Sequence, residues 1–154
     1  MTSPHKIRRG RPSDLDALLA LERSAFNTDH LSARQYRKHL DSDSAAVLVA
    51  DGAHGVLGKA VVFFNARHEI ARLYSIAVGH EARGQGLGVV LLAAAEKEAR
   101  RRGKRRMRLE VSQQNPGAIR LYEKHGYHRI GERMGYYENG EHAWRYEKVF
   151  AHER

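Results

Sequence analysis

The stretch "RGQGLG" (residues 83–88) sets glycine at every second position, after a strand-like run, "IARLYSIAV" (70–78), and leading into a helix-like one, "LGVVLLAAAEKEARRRG" (87–103). Spacing excludes two phosphate-binding signatures. A dinucleotide fingerprint requires G-x-G-x-x-G and an acidic residue about twenty positions later. Here the third glycine, Gly88, comes one place early, and positions 104–106 read Lys-Arg-Arg. A Walker loop requires Gly-Lys-Ser/Thr, which is absent. What remains is a turn whose successive backbone N–H groups lie at a helix N-terminus, an anion site by geometry and dipole. On this reading Arg83, Gly84, Gln85, Gly86, Leu87, Gly88 and Val89 form the anion-binding segment. The glycines clear the approach and Arg83 adds a full charge. The alternative is a ligand-free tight turn, for which one or two glycines would suffice.

Outward from this turn the elements alternate. "HKIRR" (5–9) reads as a first strand, and "RPSDLDALLALERSAF" (11–26) as a helix with Leu15, Leu18, Leu19 and Phe26 on one face. Ser32 and Gln35 have capping-box spacing and predict a second helix. "AAVLVAD" (45–51) and "VLGKAVVFFN" (56–65) flank "GAHG" as a hairpin. In the helix after the glycines, Leu87, Val90, Leu91 and Ala94 fall at i, i+3, i+4, i+7. "RMRLEVS" (106–112) is a fifth strand, and a helix runs from Pro116 to about His125. "YHRIGERMGYY" (127–137) and "AWRYEKVF" (143–150) close the chain as strands around Asn139-Gly140, a strong hairpin signal. The expectation is one α/β domain spanning residues 1–154, a mixed, mostly antiparallel sheet of about seven strands with about four helices.

Composition narrows the chemistry. The chain has 154 residues, 42% of them hydrophobic, and no cysteine, so disulfides, thiolate metal sites and a cysteine nucleophile are excluded. The histidines form no H-x-x-x-H pair, and no metal site is expected. No run approaches the ~18 apolar residues of a membrane span, which points to a cytoplasmic protein. The net charge of +9 favours a polyanionic partner. Six of the seven residues from Arg100 to Arg106 ("RRRGKRR") are basic, which raises direct nucleic-acid binding. Cations at a helix C-terminus also complement its dipole, and no aromatic residue interleaves to stack on bases.

Arg83-x-x-Gly86-x-Gly88 after "YSIAV" resembles the pyrophosphate loop of the GNAT superfamily of acetyl-CoA-dependent N-acetyltransferases. "LEVSQQNPGAIRLYEKHGY" (109–127) is similar to a segment of the branch that acetylates ribosomal-protein N-termini. Element order agrees over about residues 5–150. The resemblance implies the GNAT fold and acetyl-CoA as cosubstrate, with direct attack of an amine on the thioester and protonation of the leaving thiolate. It implies that backbone amides of Ile76, Ala77 and Val78 hold the pantetheine and polarise the carbonyl. It gives Tyr122 the place of the general acid, Glu110 that of the general base and Asn115 that of a coenzyme contact. Each has a plainer reading: Tyr122 as a partly buried helix aromatic, Glu110 as a solvent-facing strand glutamate paired with an arginine, and Asn115 as the N-cap before Pro116. Ser112 stands where an arginine commonly follows L-E-V, which bears on the acceptor. The cluster at 100–106 is a candidate for the coenzyme's 3′-phosphate.

At pH 7 a chain-terminal amine of pKa about 8 is roughly a tenth neutral, whereas lysine is neutral about once in 2500. A water-relayed carboxylate base therefore suits an α-amine, and a basic protein repels polycations at a distance. The expected acceptor is a protein or peptide N-terminus. The alternatives are a small-molecule amine, or an inactive GNAT-like binding module. Tyr136, Tyr137 and Trp144 either line an acceptor groove or pack as cross-strand pairs.

Overall fold

The computed structural model describes residues 6–151. The strands are β1 (Lys6–Arg9), β2 (Ala45–Gly52), β3 (Gly55–Phe64), β4 (Ile70–Val78), β5 (Arg106–Ser112), β6 (His128–Arg133) and β7 (Ala143–Val149); the helices are α1 (Leu15–Ala25), α2 (Ala33–Leu40), α3 (Leu87–Arg101) and α4 (Pro116–Lys124). They form a seven-stranded sheet in the order β1-β2-β3-β4-β5-β7-β6. Only the central β4/β5 pair is parallel. Of the expected first strand, His5 lies outside the described residues. No helix among the described residues is long and apolar enough to cross a membrane.

Period-two alternation divides the core between the sheet's faces. Ala46, Leu48 and Ala50 of β2 and Ala60 and Val62 of β3 join Leu87, Leu91, Leu92 and Ala95 of α3, with Tyr122 of α4. Val47, Val49 and Val61 point the other way, onto Leu18 of α1 and Tyr36 of α2. The Ser32–Gln35 capping box forms as expected: Gln35 N–H donates to Ser32 Oγ at 3.1 Å, and Ser32 N–H to Gln35 Oε1 at 2.8 Å.

Three local expectations are corrected. The first helix opens as a 3₁₀ turn (Pro12–Asp14) and ends at Ala25; Phe26 is already extended, at φ −129°. The buried stripe of α3 is Leu87, Leu91, Leu92, Ala95 and Ala99, while Val90 is 37% exposed. The helix is thus rotated about its axis relative to the 87/90/91/94 pattern, because it lies across β2, β3 and β4. Finally, β6 ends at Arg133 instead of running to Tyr137, while the hairpin expected around Asn139-Gly140 does form. Gly140 N–H donates to Tyr137 O at 2.9 Å and Tyr137 N–H to Glu141 O at 3.2 Å, with Gly140 at φ +85°. That is the three-residue tip with a glycine bulge, which uses the same Asn-Gly pair one place further along.

The parallel pairing of β4 with β5 lasts only from Ile70–Arg72 opposite Arg106–Arg108. Beyond it the strands part, although β4 stays paired with β3 to Val78 and β5 with β7 to Ser112. In the parted half β4 carries a bulge: Val61 faces Ser75 but Val62 faces Leu73, leaving Tyr74 as the extra residue. Gly58 lets α3 sit close here, since a Cβ would come within 2.9 Å of Ala77 O and 3.0 Å of Leu91 Cδ1. Gly58→Ala is expected to lower stability by about 1–3 kcal/mol, measured by urea unfolding; an unchanged midpoint would contradict this packing.

Candidate active site

The gap between the parted strands is a cavity of about 560 Å³. Arg72 to Ile76 of β4 form one wall and Glu110 to Ser112 of β5 the other. Asn115, Ala118 and Tyr122 of α4, the end of α1 with the loop to Asp29, and Tyr136 to Glu141 complete it. Two of these loops meet across the opening, where Asp29 Oδ1 accepts from Glu138 N–H at 3.0 Å. Asp29 holds a left-handed φ of +57°, rare for a residue with a side chain.

β5 alternates, so Met107, Leu109 and Val111 are buried in the α3/α4 layer and Glu110 faces away from it. Tyr122 belongs to that same layer. The two still line one cavity, because the sheet is split where they lie. Glu110 is neither solvent-facing nor free. Its side chain is 8% exposed, and Oε1 accepts from Arg72 at 2.6 Å and from the Tyr136 hydroxyl at 3.3 Å. Arg145 lies 3.6 Å from Oε2. Tyr122 is buried edge-on to Tyr127, and its hydroxyl has no protein partner among the described residues. Burial alone raises its pKa well above the ordinary phenol value. Asn115 caps α4 through Oδ1, which accepts from Ala118 N–H at 3.1 Å. Its Nδ2 is left over, so capping and ligand contact use different atoms of one side chain.

At the N-terminus of α3 the chain turns through His80–Ala82, and Gly84 and Gly86 adopt φ of +79° and +77°. Both conformations favour glycine, and a Cβ at either would enter open space. The ladder begins only with Val90 N–H to Gly86 O at 3.3 Å. The N–H groups of residues 84–89 therefore have no acceptor within the described residues, and Arg83 is exposed beside them. Gly88 is helical, and its Cβ would meet Leu121 of α4 at 3.6 Å, an ordinary contact. Thus α4 joins the turn to the cavity, with Leu121 beside Gly88 and Tyr122 in the cavity wall. Of the three β4 residues, Ile76 lines the cavity. Ala77 is buried and Val78 packs on the α3 layer.

The basic run at 100–106 is not beside this turn. It closes the far end of α3, about 20 Å away at 1.5 Å per residue, too far to take a 3′-phosphate of a coenzyme bound at the turn. Its cations are also engaged at home. Arg101 and Arg102 pair with Glu98, Lys104 donates to the carbonyls of Asn65 and His68 at 2.8 Å, and Arg106 pairs with Glu69 and Glu147. Arg100 lies over the Phe150 ring. Tyr136 and Tyr137 line the cavity, whereas Trp144 packs in the sheet with the Arg129 guanidinium 3.8 Å over its ring.

Arg72 and Glu22 escaped the sequence reading, and the partner of Ser112 was not foreseen. Arg72 ends the paired half of β4 and clamps Glu110. Ser112 Oγ donates to Glu141 at 3.0 Å, so the departure from the usual arginine places a short hydroxyl beside a cavity carboxylate. Glu22, at the end of α1, is buried against Lys59 of β3. For Glu22 and Lys59 the signal was a charged residue at a buried position, visible only once the layers are known; Arg72 is exposed and carried none.

Residues 15–127 match the model of the acetyltransferase (GNAT) family. A protein of Bacillus subtilis (strain 168), provisionally named a ribosomal protein bS18 alanine N-acetyltransferase, is 31% identical over 126 residues, 82% of each chain. The ribosomal-protein-S18-alanine N-acetyltransferase from Escherichia coli superposes with a TM-score of 0.85 at 25% identity, covering 98% of this chain and 97% of that one. A Salmonella typhimurium protein solved with its cofactor acetyl-CoA shares the fold at a TM-score of 0.82 and 21% identity, over 99% and 97% of the two chains.

All seven tyrosines, Tyr122 among them, have pKa values raised chiefly by burial. The folded protein then keeps phenolic protons that the unfolded chain releases near pH 10, so this contribution to stability is intact below pH 10 and lost above it. Tyrosinate absorbance should lag in the native protein and rise together with alkaline unfolding. Ordinary titration near pH 10 without unfolding would contradict the burial.

Proposed function

The chain belongs to the GNAT family of acetyltransferases, and from that premise we propose that it acetylates protein N-terminal α-amines. The observation that carries this reading is the single cavity between β4 and β5 into which Glu110 and Tyr122 both open. The relatives named for acetylation of a ribosomal-protein alanine support the choice of acceptor.

Acetyl-CoA supplies an activated acyl thioester, and the turn at 83–89 fits its pyrophosphate. The unpartnered amides, two left-handed glycines and the exposed Arg83 together make an anion cradle. In this proposal Gly84, Gln85, Gly86, Leu87, Gly88 and Val89 hold the pyrophosphate by main chain. Ile76 and Val78 lie on the half of β4 without a β5 partner and supply amides to the pantetheine and the thioester oxygen, whereas strand alternation turns the Ala77 N–H into the β3 ladder opposite Lys59. Asn115 adds its free Nδ2.

The acceptor ammonium must lose one proton before attack and the nitrogen a second as the amide forms. Glu110, fixed by Arg72 and Tyr136, takes the first through water. The carbon–sulfur bond breaks as the carbon–nitrogen bond forms, and the leaving thiolate takes a proton. Tyr122 donates it, and the second nitrogen proton, relayed through water, restores the phenol; burial keeps Tyr122 neutral between turnovers.

The test is mass spectrometry of acetyl transfer to peptides with free or blocked N-termini, each with an internal lysine, together with polyamines. Products confined to free N-termini are expected. Tyr122→Phe should lower turnover by about a hundredfold or more with acetyl-CoA affinity retained. Products on lysines or polyamines would move the acceptor to another amine class, and full turnover in Tyr122→Phe would remove the acid role.

A further inference from the structure

Lys59 is a lysine in the middle of a hydrophobic strand, with no exposed surface. Its ammonium is ion-paired with Glu22 Oε1 and donates to Ser75 Oγ at 2.7 Å. Glu22 is saturated by groups from three elements. Besides Lys59, Oε1 accepts from the Tyr36 hydroxyl of α2 at 2.5 Å, and Oε2 accepts from Leu31 N–H in the α1–α2 loop at 3.0 Å. The ammonium also sits 5.4 Å from the Phe26 ring centroid and 5.5 Å from that of Tyr36.

The location gives the cluster its meaning. Glu22, Phe26 and Ser75 all line the cavity. Ser75 faces Lys59 only because of the bulge. Leu73 packs in the α3 layer and Tyr74 in the α1/α2 layer, so strict alternation would return Ser75 to the α3 side. With Tyr74 as the extra residue, Ser75 stays on the α1/α2 face and Ile76 takes its place in the α3 layer. One buried cation therefore ties the bulged wall of the cavity to the loop that forms its acceptor side.

A buried ion pair is weak evidence for stability, since a well-packed apolar pair is often as stable; geometric specificity is the better-attested use. We propose that Lys59 is a positioning residue for the acetyl transfer, holding the bulge at Tyr74–Ser75 and, through Glu22, the 26–31 loop in register around the acceptor amine. This rests on the acetyltransferase reading above and adds a specificity device to it. Neither Lys59 nor Glu22 exchanges a proton with the amine, because every Glu22 contact is committed to the scaffold. Burial lowers the Lys59 pKa, and pairing with Glu22 opposes that only in part.

The test compares wild type with Ser75→Ala and with the charge-free double variant Lys59→Met/Glu22→Leu, chosen so that no lone charge is left buried. Amide hydrogen exchange comes first. In the double variant residues 27–31 should exchange at least about tenfold faster, with α3 and β5 unchanged. Steady-state kinetics on an N-terminal peptide follows. Both variants should raise acceptor KM by about tenfold or more, leaving acetyl-CoA KM within about twofold. Unchanged exchange at 27–31 in a folded double variant overturns the proposal, as does faster exchange with unaltered acceptor KM. If wild type acetylates no peptide N-terminus, the acceptor reading has failed instead, and the exchange data alone decide whether Lys59 holds the loop.

Discussion

The structure depends on how briefly β4 and β5 stay together. Three pairs, Ile70–Arg72 against Arg106–Arg108, are all that join the two halves of the sheet at its one parallel contact. Each strand remains tied to an antiparallel neighbour on its outer side, so the halves keep their order while a gap opens between them. In a closed sheet Glu110 and Tyr122 would lie on opposite faces, separated by backbone. The gap joins the two faces and leaves the β5-side edge of β4 unpaired. The first turn of α3 adjoins it through α4, where Leu121 lies beside Gly88 and Tyr122 lines the cavity.

Charge is distributed to match. The protein is strongly basic, yet its densest basic run is spent on its own carboxylates, carbonyls and an aromatic ring at the far end of α3. Arg83, at the near end, is exposed beside unpartnered amides. Net charge thus says little about where an anion binds; the free donors at a helix N-terminus say more. Around the cavity the pattern reverses, with Glu22, Asp29, Glu110 and Glu141 in the walls, and Arg72 and Lys59 holding two of them.

Much of this was legible in the sequence where the signals are local. Ser32 and Gln35 cap each other across three residues, the Asn115-Pro116 pair starts α4, and alternating Met107, Leu109 and Val111 mark β5. Gly84 and Gly86 marked a turn before a helix, and their left-handed backbone is a further reason for glycine there. What escaped was set by tertiary packing. The rotation of α3 that exposes Val90 depends on which strands it crosses. The parting of β4 from β5 has no marker in either strand. Nothing local marks Lys59 as buried: Glu22, 37 positions away, and Ser75, 16 away, close around it only in the fold.

Under the proposed function, coenzyme A lies in the gap between β4 and β5 with its pyrophosphate on the turn before α3. The proposed contacts are backbone N–H groups, so amide hydrogen exchange with and without coenzyme A is the measurement to make. Slowed exchange is expected at residues 84–89 and in the unpaired half of β4, with residues 100–106 unchanged. Protection confined to residues 100–106, or its absence from the turn under saturating coenzyme, would contradict that placement.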